Sequence, residues 1–169
     1  MPAVLCASLL TKIHEQIEQT DHLLAMLPRE RLNWTPSIYD SWSTAKLLGH
    51  LLECLAGFCA VLAAVYPDEL AHFSRLRELP VNHACALSEA TDRIALYRSH
   101  IDEGFTLLGD VDLARVVPTI FVAGGEPVLT LLLGNLEHLI NHKHQLFTYL
   151  KIMGLEVGTK DLYCFRSRS

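Results

Sequence analysis

No two cysteines stand at C-x-x-C spacing, and the five present, Cys6, Cys54, Cys59, Cys85 and Cys164, are an odd number. A zinc ribbon and a disulfide framework are thereby excluded as organising elements, and a reducing, cytoplasmic setting fits the thiols. Positive charge is also short: fourteen Lys and Arg against nineteen Asp and Glu leave a net charge of -5. Such a surface repels a phosphate backbone unless a basic stripe is segregated from it, and the nearest cluster, Lys160, Arg166 and Arg168, is mixed with Asp161. Nucleic acid is not an expected partner. Missing too is an uncharged apolar run of bilayer length. Leu47 to Tyr66 approaches it, but His50 and Glu53 leave only Cys54 to Tyr66 uncharged, short of the roughly 20 residues a spanning helix needs. That segment reads as a central core helix, or one that also meets a second subunit, and no membrane partner is expected. The opening Met1-Pro2-Ala3-Val4-Leu5 has no positive charge ahead of its apolar stretch, unlike a secretory leader. Internal repeats and low-complexity segments are absent.

What is present is apolar residue in abundance: half of the 169 residues are hydrophobic and a fifth are charged. A chain of this size and composition can bury a core without staples, so a single domain over residues 1–169 is expected. From Ser8 to Leu27, Leu9, Leu10, Ile13, Ile17, Leu23, Leu24 and Leu27 recur at helical spacing until Pro28. A linker with Trp34, Tyr39 and Trp42 leads to Ser43, an N-cap for a second helix that Pro67 ends. After a short helical piece near Glu69 to Leu76, Ser88 is expected to cap a third helix reaching about Leu108. That helix should bury Ala90, Ile94, Tyr97, Ile101, Phe105 and Leu108 and keep Glu89, Asp92, Arg93, Arg98 and Asp102 wet. Arg115 to Leu129, with Gly124-Gly125 at its centre, reads as a small hairpin or extended loop. Thr130 is then expected to cap a last long helix, Leu131 to Met153, closed by Gly154. In the tail, Leu162, Tyr163 and Phe165 have the apolar character to pack back on the helices. The fold class is all-α, a four-helix bundle.

Nine histidines are sorted by spacing. His138 and His142 are four apart in the last helix, where a turn of about 100° per residue stacks their rings on one face. Two imidazoles make half a metal site, and His50, in an otherwise apolar stretch of the second helix, is the best third ligand, since an unpaired buried imidazole is costly. Leu131, Asn135, His138, His142, Gln145 and Tyr149 form one stripe beside the core positions Leu132, Leu136, Leu139 and Leu150. Glu53, Glu137, Asn141 and Gln145 stand near enough to orient the ligands. Cys54 shares the face of His50 and reads first as a buried small hydrophobe, second as a soft ligand. His144 points away, and His14, His22, His72, His83 and His100 read as solvated or hydrogen-bonded.

Ser41-Trp42-Ser43, Gly49-His50-Leu51, the run Glu137-His138-Leu139-Ile140-Asn141-His142 and the following Thr148-Tyr149-Leu150-Lys151 with Gly154 resemble the DinB-like superfamily. The resemblance implies an up-down-down-up bundle, often dimeric, so a homodimer is expected. In that family a histidine early in helix two and an H-x-x-x-H pair in helix four bind nickel or zinc, the places held here by His50, His138 and His142. Many members carry glycine where this chain has His144, a difference that bears on surface or dimer packing. The superfamily includes YfiT-like bacillithiol transferases and relates to mycothiol-dependent enzymes. It therefore implies activation of a low-molecular-weight thiol for transfer to a small electrophilic substrate. Metal-dependent hydrolysis and a non-catalytic module, with the ion tying two helices together, are the other readings of the same ligands. Glu53 and Tyr149 are the candidates for proton handling or substrate orientation.

Overall fold

The computed structural model describes residues 4–37, 40–119 and 122–163. Four long helices dominate: α1 (Val4–Ala25), α2 (Thr44–Val65), α3 (Leu87–Leu107) and α4 (Val128–Ile152), with a one-turn α5 (Thr159–Leu162) behind them. The buried residues of α1, among them Cys6, Leu9, Ile13, Ile17, Leu23 and Leu24, fall on the apolar stripe visible in the sequence. In α2 the stripe widens until most of the helix is buried, because α2 packs against both α3 and α4. It is long and apolar enough to cross a membrane by composition, yet Leu47, Leu51, Leu52, Leu55, Phe58 and Leu62 are all within the core.

The helix directions follow from side-chain pairings. His14 meets Asp102 and Glu18 meets Arg98, so α1 and α3 are antiparallel. Cys59 bonds the carbonyl of Tyr97 and Tyr66 that of Leu107, so α2 and α3 run parallel. His50 against His138 and Trp42 against Tyr149 make α2 and α4 antiparallel. The bundle is up-down-down-up. Since α2 and α3 point the same way, the chain between them must travel back along the bundle. That crossover contains a 3₁₀ helix (Ala71–Glu78) and a strap, residues 80–86, laid across the start of α2.

Several boundaries differ from the sequence expectation. Ser43 does cap α2, its hydroxyl accepting from the Lys46 amide at 3.2 Å. The third helix, however, is entered through Ala86, not Ser88, and has no side-chain cap. The fourth starts at Val128 behind Pro127, not at Leu131 behind Thr130. Here Glu126–Pro127 (β2) pairs antiparallel with Val116–Val117 (β1), and the strand runs directly into the helix. Gly125 sits at φ 75° in the turn, a region that favours glycine. Arg93, expected on the wet face of α3, is buried, its guanidinium donating to the Pro80 carbonyl at 2.9 Å and to the Tyr97 hydroxyl. Behind α4, Leu162 is buried but Tyr163 is exposed, while Tyr39, Cys164, Phe165, Arg166 and Arg168 lie outside the described residues.

Candidate metal centre between α2 and α4

α2 is anchored at Ser43 and carries His50 in its second turn, while α4 carries His138 and His142 one turn apart. Because the two helices are antiparallel neighbours, the three rings converge. Their centroids are 4.9 Å apart for His50 and His138, 4.4 Å for His50 and His142, and 4.8 Å for the α4 pair. One ring nitrogen of each lies within 4.8 Å of the others, and the Nε2 atoms of His50 and His138 are 2.9 Å apart.

The outer nitrogens fix which proton each ring carries. His50 Nδ1 faces Asn82 Oδ1 and stands 3.0 Å from Glu53 Oε2, while His142 Nδ1 is 2.8 Å from Gln145 Oε1. All three partners are acceptors, so both Nδ1 atoms carry hydrogen and both Nε2 lone pairs point inward. Burial first, then the neighbouring charge of His50, holds the His138 imidazolium below the ordinary histidine range. Burial also lowers His142, partly offset by its bond to Gln145. Neutral rings with inward lone pairs are the form a metal needs.

Gln145 extends the support. Its amide nitrogen donates to the Tyr149 hydroxyl at 3.3 Å, and that hydroxyl donates to the Trp42 carbonyl at 3.1 Å. The indole of Trp42 in turn stacks on His142 at 5.8 Å and meets His50 edge-on at 4.7 Å. Tyr149 thus acts on His142 through Gln145 and ties the α1–α2 linker to α4. Of the other residues placed near the ligands by sequence, Glu137 and Asn141 are exposed. Cys54 is fully buried, donates to the His50 carbonyl at 3.6 Å and stands outside the cluster; burial pushes its thiol up to about 12.

Asn82 is the functional neighbour that sequence reasoning missed. It adopts φ 57°, in the left-handed region that asparagine tolerates better than most residues. Its amide bonds the Gly49 carbonyl at 3.0 Å, and the Cys85 amide bonds that of Ala45 at 3.0 Å. A Cβ at position 49 would lie 1.9 Å from the His83 carbonyl oxygen, so only glycine lets the strap lie this close. The one legible signal was Gly49 itself, adjacent to His50.

A cavity of about 450 Å³ opens beside the histidines. Its α2 wall is made of small residues, Ala56, Gly57 and Ala60, facing Phe73 and Leu76 of the crossover. Its polar groups include Glu53, Asn135 and His138, with Arg77 at an exposed position. The remaining expected bystanders all have partners: His14 with Asp102, His22 with Asp161, His72 with Glu103 and His100 with the Leu96 carbonyl. His144 is exposed. His83 is hydrogen-bonded to Glu89 at 2.9 Å, as expected, and also stands close to Cys85.

No curated protein matches the sequence. A crystal structure of YjoA, a DinB-like protein from Bacillus subtilis, superposes with a TM-score of 0.67 at 18% identity, covering 89% of this chain and 95% of that one. At that identity the likeness shows the fold. The sequence model of the DinB superfamily matches residues 12–146, which takes in α2, the strap and both α4 histidines. By fold and by sequence together, the chain belongs to the DinB superfamily.

Proposed function

We propose that this protein is a metal-dependent transferase that delivers a low-molecular-weight thiol to a small electrophilic molecule, with His50, His138 and His142 holding a nickel or zinc ion. The observation that carries the reading is the convergence of these three imidazoles beside a cavity, with no fourth protein ligand in the cluster among the described residues. The donor set fits such an ion: imidazole suits both metals, and the two tautomers fixed by Asn82 and Gln145 present lone pairs inward. Structural zinc usually closes with four protein ligands, so three favour an open, reactive site over a helix tie. When bound, the ion supplies Lewis acidity that lowers the pKa of a thiol or water near neutral pH.

The chain's own residues supply the rest. Asn82 and Glu53 hold the Nδ1 hydrogen of His50, and Gln145 holds that of His142. The small α2 wall leaves room for a substrate, and its alanines and glycine make that side of the cavity apolar. Glu53 is a carboxylate at the cavity and part-exposed, which suits it to pass a proton to solvent.

The test is metal analysis of protein purified without chelator, joined to a thiol-transfer screen comparing the native chain with His142→Ala. Metal-dependent consumption of thiol and electrophile, lost in His142→Ala with helicity retained, is expected. Hydrolysis without thiol consumption would replace transfer with the hydrolase reading. A native protein that carries no divalent metal would overturn the proposal.

A further inference from the structure

His83, Cys85 and Glu89 form a second cluster outside the centre described above. The strap brings the first two residues to the opening turn of α3, where Glu89 stands, and one donor atom from each lies within 4.8 Å of the others. His83 Nε2 is 2.9 Å from Glu89 Oε1, as closely drawn together as the His50 and His138 nitrogens. The other ring nitrogen, His83 Nδ1, is buried without any hydrogen-bond partner. The ring is held toward the cluster through Nε2 and its bond to Glu89. The Cys85 sulfur lies 3.3 Å from the Ala86 carbonyl and also interacts with the Glu89 carboxylate.

We infer that His83, Cys85 and Glu89 form a second site for a thiophilic divalent cation, of which zinc is the natural example. Nitrogen, sulfur and carboxylate oxygen form a donor set zinc accepts, and tetrahedral coordination requires donors to lie within a few ångströms of one another. The cluster is shaped by its backbone: Cys85 is held by its amide on the Ala45 carbonyl, and Glu89 stands in the first turn of α3. Arg93 does not block the carboxylate. Its guanidinium is anchored on the Pro80 carbonyl and the Tyr97 hydroxyl, leaving only a 3.4 Å approach to Glu89 Oε1. Coordination forms an S–metal bond as the S–H bond breaks, and the proton passes to buffer. The ion pins the strap to α3, and with it Asn82, which holds His50.

The experiment is titration of the full metal-free chain with cobalt(II), read by the near-ultraviolet thiolate-to-cobalt absorption, and with zinc(II), read by calorimetry in two buffers. The native chain should bind one equivalent more than Cys85→Ala or Glu89→Gln, with proton release accompanying that extra equivalent. The thiolate absorption should vanish in Cys85→Ala yet persist in His138→Ala, which separates this site from the three-histidine centre. Glu89→Gln guards against a folding defect at the buried thiol, since Glu89 is part-exposed. Persistence of the absorption in Cys85→Ala, its absence from the native chain, or loss of all binding in His138→Ala would overturn the inference.

Discussion

His142 and Lys143 are neighbours in sequence, and α4 turns them to opposite flanks of the bundle. His142 faces α2 and joins two other imidazoles whose Nε2 atoms meet at 2.9 Å. Lys143 faces α1, is buried, and gives its hydrogens to Gln16 Oε1 at 2.8 Å, to Gln19 Oε1 and to the Leu162 carbonyl at 3.5 Å. The lysine cluster is complete within itself, since every contact pairs a donor with an acceptor. It also ties α1, α4 and α5 together, helped by His22 on Asp161 at 3.2 Å. The three-histidine cluster has three ring nitrogens converging at its centre and a cavity at its side. Buried polar groups that satisfy one another hold a fold, whereas like groups converging with their acceptors inward need something added.

The sharpest way to break this contrast is to remove a residue from each flank. His138→Ala should lower nickel or zinc affinity by more than about 100-fold, beyond what loss of an orienting neighbour costs, and leave thermal stability of the metal-free protein nearly unchanged. Isothermal titration calorimetry and a melting curve check both halves. Lys143→Ala should do the reverse. It strands the Gln16 and Gln19 acceptors and costs about 1–3 kcal/mol in a urea titration, with metal affinity unchanged.

Smaller effects sharpen the distinction. Asn82→Gly, which keeps the left-handed backbone, and Gln145→Leu each remove an amide acceptor that orients one histidine ring, and each should weaken metal binding by about 10-fold without moving the urea midpoint by a comparable amount. A further effect is one of pH. Burial pushes the Lys143 ammonium down from 10.5 to about 8. Between those values the unfolded chain holds a proton that the folded chain has released, so this residue makes stability rise with pH across the window. Melting curves of the native chain and Lys143→Met between pH 8 and 10 should differ in slope, the variant being flatter.

Helical phase explains what was legible beforehand. Four helices, the hairpin and the stripe from Leu131 to Tyr149 all follow from local periodicity, and the same periodicity stacks His138 on His142. Phase also contained the lysine cluster. Lys143 falls in register with Leu132, Leu136, Leu139, Leu146 and Leu150, all buried, and Gln16 with Ile13 and Thr20. A polar residue on a core stripe is a stronger signal than its charge suggests. Asn82 was not legible because its place depends on the crossover returning along the bundle, a long-range event that no local spacing encodes. Helix starts were misjudged where a serine or threonine resembled a cap. At Val128 the β2 strand delivers the chain directly into the helix, and at Leu87 the entry through Ala86 uses no side chain at all.

The central claim is that three imidazoles present one ring nitrogen each to a single metal-binding point. Nitrogen-15 histidine spectra recorded while zinc is added to the metal-free chain test it most directly. The Nε2 signals of His50, His138 and His142 should shift together to metal-bound positions, with the Nδ1 atoms of His50 and His142 remaining protonated. Zinc that binds while these three Nε2 signals stay in place would contradict the account.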